Sequence, residues 1–463
     1  MTISFLNWLK VAYHALLSSI LALIVIAAGP ASAHEVFPSI LNLRADDGVI
    51  LIEVDVNAEA LLADVDLSAV ADTDEAENAE SYDNLRALSP QEIADRFDSY
   101  FPAFADNLTV LADGAPVTLR NNGVIVQPQA DGELPRETRV SLVGDYPTDA
   151  TTLDIGWIAA YGTLIVRQND IANEPYTGTL SGGDMSGSFN IDGGNAQSGW
   201  QVFVDYIPIG FDHIVPKGLD HILFVLGLFF LAARMRPLLV QVSLFTLAHT
   251  ITLALAALGH TQFLDDFFLN TFGIEFIAVV EPLIALSIVY VAVENIFMKG
   301  ISPWRPFVVF AFGLLHGLGF ASVLAEFGLP DNAFVPALIG FNVGVEVGQL
   351  AVIAVVFLCV WQALRVDRGA NEANQGFALY GVLLVVAAAL MALEPAALVV
   401  ALENPVWVFA APLAALFVLC IASIQLRDKP DAYRRLVSNP ASVAIAVVGA
   451  YWFLDRIGGL AFL

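Results

Sequence analysis

The sequence predicts two parts of different fold class, an exported β-sandwich-like domain with a helical insertion and an all-α polytopic membrane bundle of about eight helices. Three observations predict this division. Apolar residues make up 57% of the chain and charged residues only 14%, which is far from an average soluble domain. Polar and apolar residues alternate in short runs before residue 206, whereas long apolar runs follow it. Residues 34–205 hold 30 Asp and Glu against seven Arg, which gives −23 of the total −27.

The first 33 residues have the pattern of a secretory signal peptide. Lys10 precedes an apolar run from Ala15 to Ala28, and Ala31-Ser32-Ala33 supplies small residues for cleavage. Cleavage there makes His34 the first residue of the mature chain. Its α-amine and imidazole could together hold copper or nickel, although a terminal histidine is more often a product of processing alone.

Residues 34–206 are predicted to form an extracytoplasmic acidic β-rich domain. Strand-like runs lie at 49–56, 108–111, 139–143, 152–158 and 163–167, and turn signals lie at Asp113-Gly114, Asn122-Gly123 and Asp131-Gly132. The pattern becomes helical between Ala58 and Asp106, where Ser89 to Glu92 form a capping start for a helix from Ile93 to Phe104. Residues 177–199 fit either a long hairpin or a mobile loop.

This domain lacks the features of an enzyme or of a disulfide scaffold. Both cysteines, Cys359 and Cys420, fall in later apolar runs, so the domain is expected to be held by its core. Its sequence shows no pairing of a nucleophile with a base, and we interpret it as a binding or docking module. The acidic excess keeps such a surface soluble or attracts cations, and it disfavours nucleic acid.

Residues 207–463 are predicted to be a multi-helix transmembrane domain. Eight apolar runs have about the ~20 residues that a bilayer requires, and they lie near 219–234, 237–258, 274–298, 304–326, 335–364, 377–401, 405–426 and 441–459. Lys and Arg occur after the odd-numbered runs, whereas the loops at 259–273, 327–334 and 402–404 contain neither residue. The positive-inside rule therefore places the odd-numbered connections in the cytoplasm of a bacterial inner membrane, with the N-terminal domain outside.

Polar residues fall on narrow stripes of these runs. Gly313 and Gly317 flank His316 in a small-xxx-small pattern that lets a neighbouring backbone approach. Ser, Thr and Asn members of the stripes are equally well explained by helix packing. Carboxylates without cationic partners must be protonated, hydrogen-bonded or bound to a cation. The candidate metal-binding residues are Asp212, His213, Asp220, His221, His249, Glu281, His316, Asn342 and Glu346.

Imidazole and carboxylate together suit nickel, cobalt, copper or zinc. Asp220 and His221 are adjacent at the start of a helix, so their side chains diverge by about 100° and the two residues must differ in role. We expect His221 to bind the metal. Asp220 is then either a second ligand or the acceptor that fixes the imidazole of His213 or His249.

The membrane half resembles the HupE/UreJ family. The resemblance rests on five ordered motifs, namely GFDHIVPKGLDHILFVLG at 210–227, FTLAHTITL at 245–253, VEPLIALSIVYVAVEN at 280–295, FGLLHGLGFA at 312–321 and FNVGVEVGQL at 341–350. The signal peptide, His34-Glu35 and the strand-rich exported domain are similar to longer members. The resemblance implies a hydrogenase or urease accessory role in nickel uptake, with a family motif on His213, Gly218, Asp220 and His221.

Three functions are consistent with these features. The first is a divalent-metal permease, nickel favoured, that is not an enzyme and has the lipid bilayer, a divalent cation and metalloenzyme maturation factors as partners. The second is an intramembrane metallohydrolase in which Glu281 or Glu346 is the general base on a metal-bound water. The third is a scaffold whose exported domain recruits a partner, which leaves the intramembrane carboxylates unexplained.

Overall fold

The computed structural model describes residues 38–460, except for gaps at 69, 71–72, 74–75, 77, 129–135, 173, 181–182, 196–197, 232–234, 273, 275, 299, 320–332 and 403–404. The chain divides into two compact units, one made mainly of residues 32–201 and the other of residues 202–329 and 335–463. The signal peptide, His34 and the predicted turn Asp131-Gly132 lie outside the described residues.

The first unit contains two sheets. Its strands are β1 Ser39–Asp46, β2 Val49–Val56, β3 Leu108–Ala112, β4 Ala115–Pro116, β5 Leu119–Val126, β6 Thr138–Asp145, β7 Thr152–Trp157, β8 Leu164–Gln168, β9 Thr177–Leu180 and β10 Phe189–Asn190. One sheet has the order β5-β6-β2-β1-β8-β9 and the other β10-β7-β3-β4. β1 runs parallel to β8 and antiparallel to β2. Alternation buries one face, since Ile50 is 0% and Leu51 is 44% exposed.

The two turn signals within the described residues have different outcomes. Asp113 and Gly114 both have positive φ, as the turn prediction requires. The turn predicted at Asn122-Gly123 is wrong, because both residues lie inside β5, where the register shifts between Asn121 and Gly123. Gly123 has a φ of 128° and its N–H donates to Asn121 Oδ1 at 2.8 Å, which makes this site a β-bulge.

The helical insertion is present between β2 and β3 as α1 Ala58–Leu62, α2 Ala79–Arg86 and α3 Pro90–Asp106. Ser89 and Glu92 form the predicted capping box at the start of α3. The apolar face of α3 is buried, with Ile93, Phe97 and Phe104 each 0% exposed in the core that both sheets share.

A buried ion pair ties this insertion to the chain before β6. Arg136 Nε lies 2.9 Å from Glu59 Oε1, and the two side chains are 2% and 0% exposed. Arg136 also donates to the backbone carbonyls of Leu88 at 2.9 Å and Arg86 at 2.6 Å. Burial raises the pKa of the Glu59 carboxyl, while a backbone hydrogen bond and the charge of Arg136 act to lower it.

The second unit is helical. Its helices are α4 Gly199–Asp212, α5 Leu219–Leu231, α6 Met235–Ala257, α7 Gln262–Phe272, α8 Phe276–Phe297, α9 Arg305–Gly319, α10 Phe334–Asp367, α11 Ala373–Leu393, α12 Ala396–Leu402, α13 Val406–Gln425 and α14 Asn439–Leu460, the last preceded by a π-helical turn Arg434–Ser438.

By length and composition, six of the described helices can cross a membrane, and they are α6, α8, α10, α11, α13 and α14 with its π-helical turn. Two further apolar helices, α5 and α9, are shorter, with 13 and 15 residues. The predicted fold class is therefore confirmed, and the predicted number of about eight helices in the membrane bundle is approximate.

Glycines allow close contact between the helices that carry the candidate residues. A methyl group on Gly313 would lie 2.5 Å from the carbonyl oxygen of Phe245, and one on Gly317 would lie 2.7 Å from that of His249. These two contacts hold α9 against α6, which is the close approach that the small-xxx-small pattern predicts. Gly210 and Gly344 likewise bring α4 and α10 into backbone contact.

Candidate metal centre

A turn between α4 and α5 places His213 beside the first turn of α5. The helix α4 ends at Asp212, and the chain folds back so that the N–H of Gly218 donates to the carbonyl of Ile214 at 3.2 Å. Gly218 is needed here, because a Cβ at this position would overlap the carbonyl oxygen of His213. The Pro-Lys-Gly break thus returns His213 to the helix that carries His221.

Three imidazoles converge from this turn, α5 and α6. One ring nitrogen from each of His213, His221 and His249 lies within 4.8 Å of those of the other two. The ring centroids of His213 and His221 are 4.8 Å apart, and those of His221 and His249 are 5.7 Å apart. Metal–nitrogen bonds of about 2.0–2.1 Å in tetrahedral geometry put the nitrogens about 3.4 Å apart, so these rings need to close by little more than an ångström.

His316 of α9 adds a fourth ring. Its centroid lies 5.0 Å from that of His221, and the residue is 1% exposed. It is not among the three histidines whose nitrogens group together. His316 therefore adjoins the three-histidine cluster on one side and does not complete it in this conformation.

The Nδ1 atoms of three of these rings face hydrogen-bond acceptors. His221 Nδ1 lies 2.8 Å from Asp220 Oδ1, His249 Nδ1 lies 3.3 Å from Asn342 Oδ1, and His316 Nδ1 lies 2.9 Å from the Phe312 carbonyl oxygen. A carboxylate or a carbonyl oxygen only accepts, so the proton must be on Nδ1 and the lone pair on Nε2. Asn342 is oriented in turn, because its Nδ2 donates to the Leu338 carbonyl at 2.8 Å.

The opposite nitrogens have no such partners. Among the described residues, Nε2 of His221, His249 and His316 is buried without a hydrogen bond, and these residues are 3%, 0% and 1% exposed. An unbonded buried polar atom is costly, and native proteins satisfy almost all of them. Buried imidazole lone pairs, each with its tautomer fixed by an acceptor behind the ring, are suited to binding a transition metal.

The structure places four of the predicted residues outside this cluster or behind it. Asp212 is exposed at the end of α4. Glu281 of α8 faces Arg456 of α14, whose Nη1 donates to the Glu281 carbonyl at 3.0 Å and whose Nε lies 3.9 Å from its carboxylate. Glu346 accepts a hydrogen bond from Ser243 Oγ at 2.6 Å. Asn342 lies behind His249, on the Nδ1 side of the ring.

Sequence reasoning missed the residues that surround the cluster. Phe224 and Phe245 are 0% and 1% exposed and pack on His316 with ring centroids 5.3 and 5.0 Å away. Phe224 follows His221, and Phe245 precedes His249, by one helical turn. This spacing was the available signal, but apolar residues in apolar helices do not stand out. Arg456 was missed because α14 carries no motif of its own.

The fold and this cluster define a class of protein, a multi-pass α-helical membrane protein with a β-rich N-terminal unit and a group of buried histidines between its helices. Residues 191–394 match the family model described as HupE / UreJ protein, and this segment contains all four of these histidines. The longer form of the family, with an N-terminal domain, is consistent with the two sheets. No curated protein and no solved structure matches the chain.

Proposed function

We propose that this protein transports a divalent transition metal, with nickel favoured, across a bacterial inner membrane. The observation that supports the proposal best is the set of buried Nε2 atoms of His221, His249 and His316, which have no hydrogen-bond partner among the described residues. Imidazole nitrogen favours nickel, cobalt, copper and zinc over magnesium and calcium, which prefer oxygen. The metal is here the cargo, and His213, His221 and His249 are its first binding site.

The position of the cluster fits entry from outside. The loop at 259–273 contains no Lys or Arg, whereas α13 is followed by Arg427, Lys429, Arg434 and Arg435. By the positive-inside rule, this distribution predicts that the carboxyl end of α6 and the amino end of α5 lie at the outer face. His221 is in the first turn of α5 and His249 is in the second half of α6, so both are nearer that face. The acidic N-terminal domain, which the topology puts outside, would raise the local concentration of cations.

A line of polar contacts continues from the cluster between α6 and α10. His249 faces Asn342, Thr246 donates to Gln349 Oε1 at 3.2 Å, and Ser243 donates to Glu346 at 2.6 Å. On α6 these contacts recur every three residues toward its amino end, which the proposed topology puts at the cytoplasmic face. We infer that these contacts hold α10, and with it Asn342, in position beside His249.

The alternative function, an intramembrane metallohydrolase, needs a carboxylate that acts as a base beside the metal. Within the described part of the chain, Glu281 faces Arg456 and Glu346 binds Ser243, so both candidate bases have other contacts. The geometry favours transport, and a partner among metalloenzyme maturation factors would take the ion on the cytoplasmic side.

The test is uptake of radioactive nickel by right-side-out membrane vesicles, combined with metal analysis of the detergent-purified protein. We expect about one bound nickel ion per chain, loss of both binding and uptake in His249→Ala, and wild-type behaviour in His260→Ala. His260 is the matched control, because it is an exposed histidine in the turn after the same helix. Unchanged uptake in His249→Ala at equal expression would reject the proposal.

A further inference from the structure

A second group of polar side chains lies toward the amino ends of α6 and α9, away from the histidines of these helices. Arg305, the first residue of α9, donates from Nη1 to Glu294 Oε2 at 2.7 Å and from Nε to Gln241 Oε1 at 2.8 Å. Glu294 is in the last turn of α8, and Gln241 is in the second turn of α6. The side chains of Arg305 and Glu294 are 1% and 12% exposed, so this is a buried ion pair that joins three helices.

A contribution to folding stability does not account for the presence of this ion pair. Removing two charges from water is costly, and well-packed apolar replacements of such a pair are often neutral or stabilising. The contact between α6 and α9 already has close packing at Gly313 and Gly317. An ion pair that is costly to desolvate, and that joins helices which are already closely packed, is better suited to stabilise one of two alternative arrangements of those helices.

The pair lies on the cytoplasmic side of the histidine cluster in the proposed topology. Arg305 precedes His316 by 11 residues on α9, which is about 16 Å along a helix, and Gln241 precedes His249 by eight residues on α6, which is about 12 Å. Both helices run in the same direction, because Gly313 contacts Phe245 and Gly317 contacts His249. A line from the cluster to the cytoplasm between α6 and α9 passes the ion pair.

An aromatic layer separates the two groups. Phe224 and Phe245 each lie one helical turn from a cluster histidine, and Phe312 lies one turn from His316, all on the side toward the ion pair. The Phe224 ring lies 5.0 Å from that of Phe245 and 6.0 Å from that of Phe312. Phe224 and Phe245 are 0% and 1% exposed, so no water-filled passage separates these two rings from their neighbours.

We infer that the Arg305–Glu294 pair, with Phe224 and Phe245 above it, is the inner gate of the metal path, and that the structure shows this gate closed. The inference rests on the proposed transport function. At the outer end of α8, the contact of Glu281 with Arg456 is looser, at 3.9 Å and with side chains 48% and 26% exposed. The same helix thus carries a short, buried ion pair at its inner end and a longer, partly exposed one at its outer end, which is the asymmetry expected of a path closed on its inner side.

The test measures access from the cytoplasmic side and needs no metal. Ser287 is 1% exposed and lies two turns from Glu294 on the same face of α8, so Ser287→Cys is a reporter of the space behind the gate. The reporter cysteine is introduced into a Cys359→Ala/Cys420→Ala background, and inverted vesicles that contain this variant are labelled with an impermeant methanethiosulfonate. We expect slow labelling of the reporter alone and at least tenfold faster labelling when Glu294→Gln is added.

Glu372→Gln is the matched control, because Glu372 pairs with Arg365 on the same side of the membrane but away from this path. It should leave the labelling rate unchanged. Nickel binding to each purified variant is measured alongside, and Glu294→Gln should bind within about threefold of wild type. Should Glu294→Gln fail to bind nickel, Arg305→Lys, which keeps the charge but not the two-point contact, provides the same readout.

If Glu294→Gln or Arg305→Lys still binds nickel but the reporter is labelled slowly, the gate proposal is wrong. Equal acceleration by Glu372→Gln would also overturn it, because the effect would then not belong to this pair. Failure of the transport proposal is a different result, namely vesicles of the wild-type protein that take up no nickel whatever the labelling rate of the reporter.

Discussion

Asp220 accepts two hydrogen bonds from its neighbour His221, one from the backbone N–H at 2.7 Å and one from ring Nδ1 at 2.8 Å. The two adjacent residues therefore differ in role, because the Asp220 carboxylate fixes the ring through Nδ1 and leaves Nε2 of His221 without a hydrogen bond among the described residues. The sequence analysis left two roles open for Asp220, either a metal ligand or the acceptor that fixes the ring of His213 or His249. The first-turn carboxylate instead folds back onto the imidazole next to it.

This relationship predicts different losses at the two positions. His221→Ala removes a ligand and should abolish nickel binding, whereas Asp220→Asn keeps an acceptor for Nδ1 and should weaken affinity only ~10–100-fold. Equilibrium dialysis of the purified protein measures both values, with His260→Ala as the control. Complete loss of binding in Asp220→Asn would instead make Asp220 a ligand.

A second prediction concerns the packing behind His249. In Gly317→Ala the new methyl group would lie 2.7 Å from the His249 carbonyl oxygen and would overlap Thr252, so α6 must shift. We expect a destabilisation of about 1–3 kcal/mol and weaker nickel binding, measured by thermal unfolding in detergent and by dialysis. Gly381→Ala in α11 makes the same change where nothing lies within 4 Å of the new methyl group, and it should alter neither quantity.

A third prediction concerns the buried pair in the N-terminal unit. Arg136→Ala leaves the Glu59 carboxylate buried without its partner and should cost about 3–5 kcal/mol. Arg120→Ala breaks a pair whose side chains are 59% and 64% exposed, and it should change stability little. Proteolysis of the N-terminal unit of the full chain in increasing urea compares the two variants. Equal susceptibility would contradict the prediction.

The same pair predicts a pH dependence. The folded pKa of Glu59 lies above its ordinary value of 4.5, so ionisation of this group opposes folding above the folded pKa, and the penalty disappears below 4.5. Arg136→Ala removes a charge that offsets the penalty. The difference in stability between Arg136→Ala and wild type should thus be largest at neutral pH and shrink as the pH falls to 4.5. A difference that grows on acidification would show the opposite sign.

A fourth prediction tests the orientation. In the Cys359→Ala/Cys420→Ala background, a cysteine at Asn371, between α10 and α11, should react with an impermeant thiol reagent only after lysis. A cysteine at Asn332 should react from the periplasmic side, and one at Asn404 should do the same. Asn332 and Asn404 lie outside the described residues, so this prediction comes from loop charge alone. Labelling in the opposite sense would reverse the topology.

The sequence predicted what periodicity and composition determine. Alternation located β2, β3, β6, β7 and β8, capping located α3, and hydropathy located the long apolar helices and the short α5 and α9. The sequence did not locate α4, or α7, which lies in the predicted loop at 259–273. It could not predict which polar residues meet, because that depends on helix rotation and on contacts between residues about 100 apart. Ser243 with Glu346 and His249 with Asn342 are such contacts. The pairing of Glu59 with Arg136 across 77 positions was invisible for the same reason.

The Nδ1 acceptors described for the three rings are of three chemical kinds, a carboxylate at Asp220, a side-chain amide at Asn342 and a peptide carbonyl at Phe312. The Phe312 carbonyl belongs to the backbone of α9, whereas Asp220 and Asn342 bind their rings through side chains. The ring of His316 is therefore fixed to the helix backbone itself. The rings of His221 and His249 are fixed to groups that can rotate about side-chain bonds, so these two rings have more freedom to adjust.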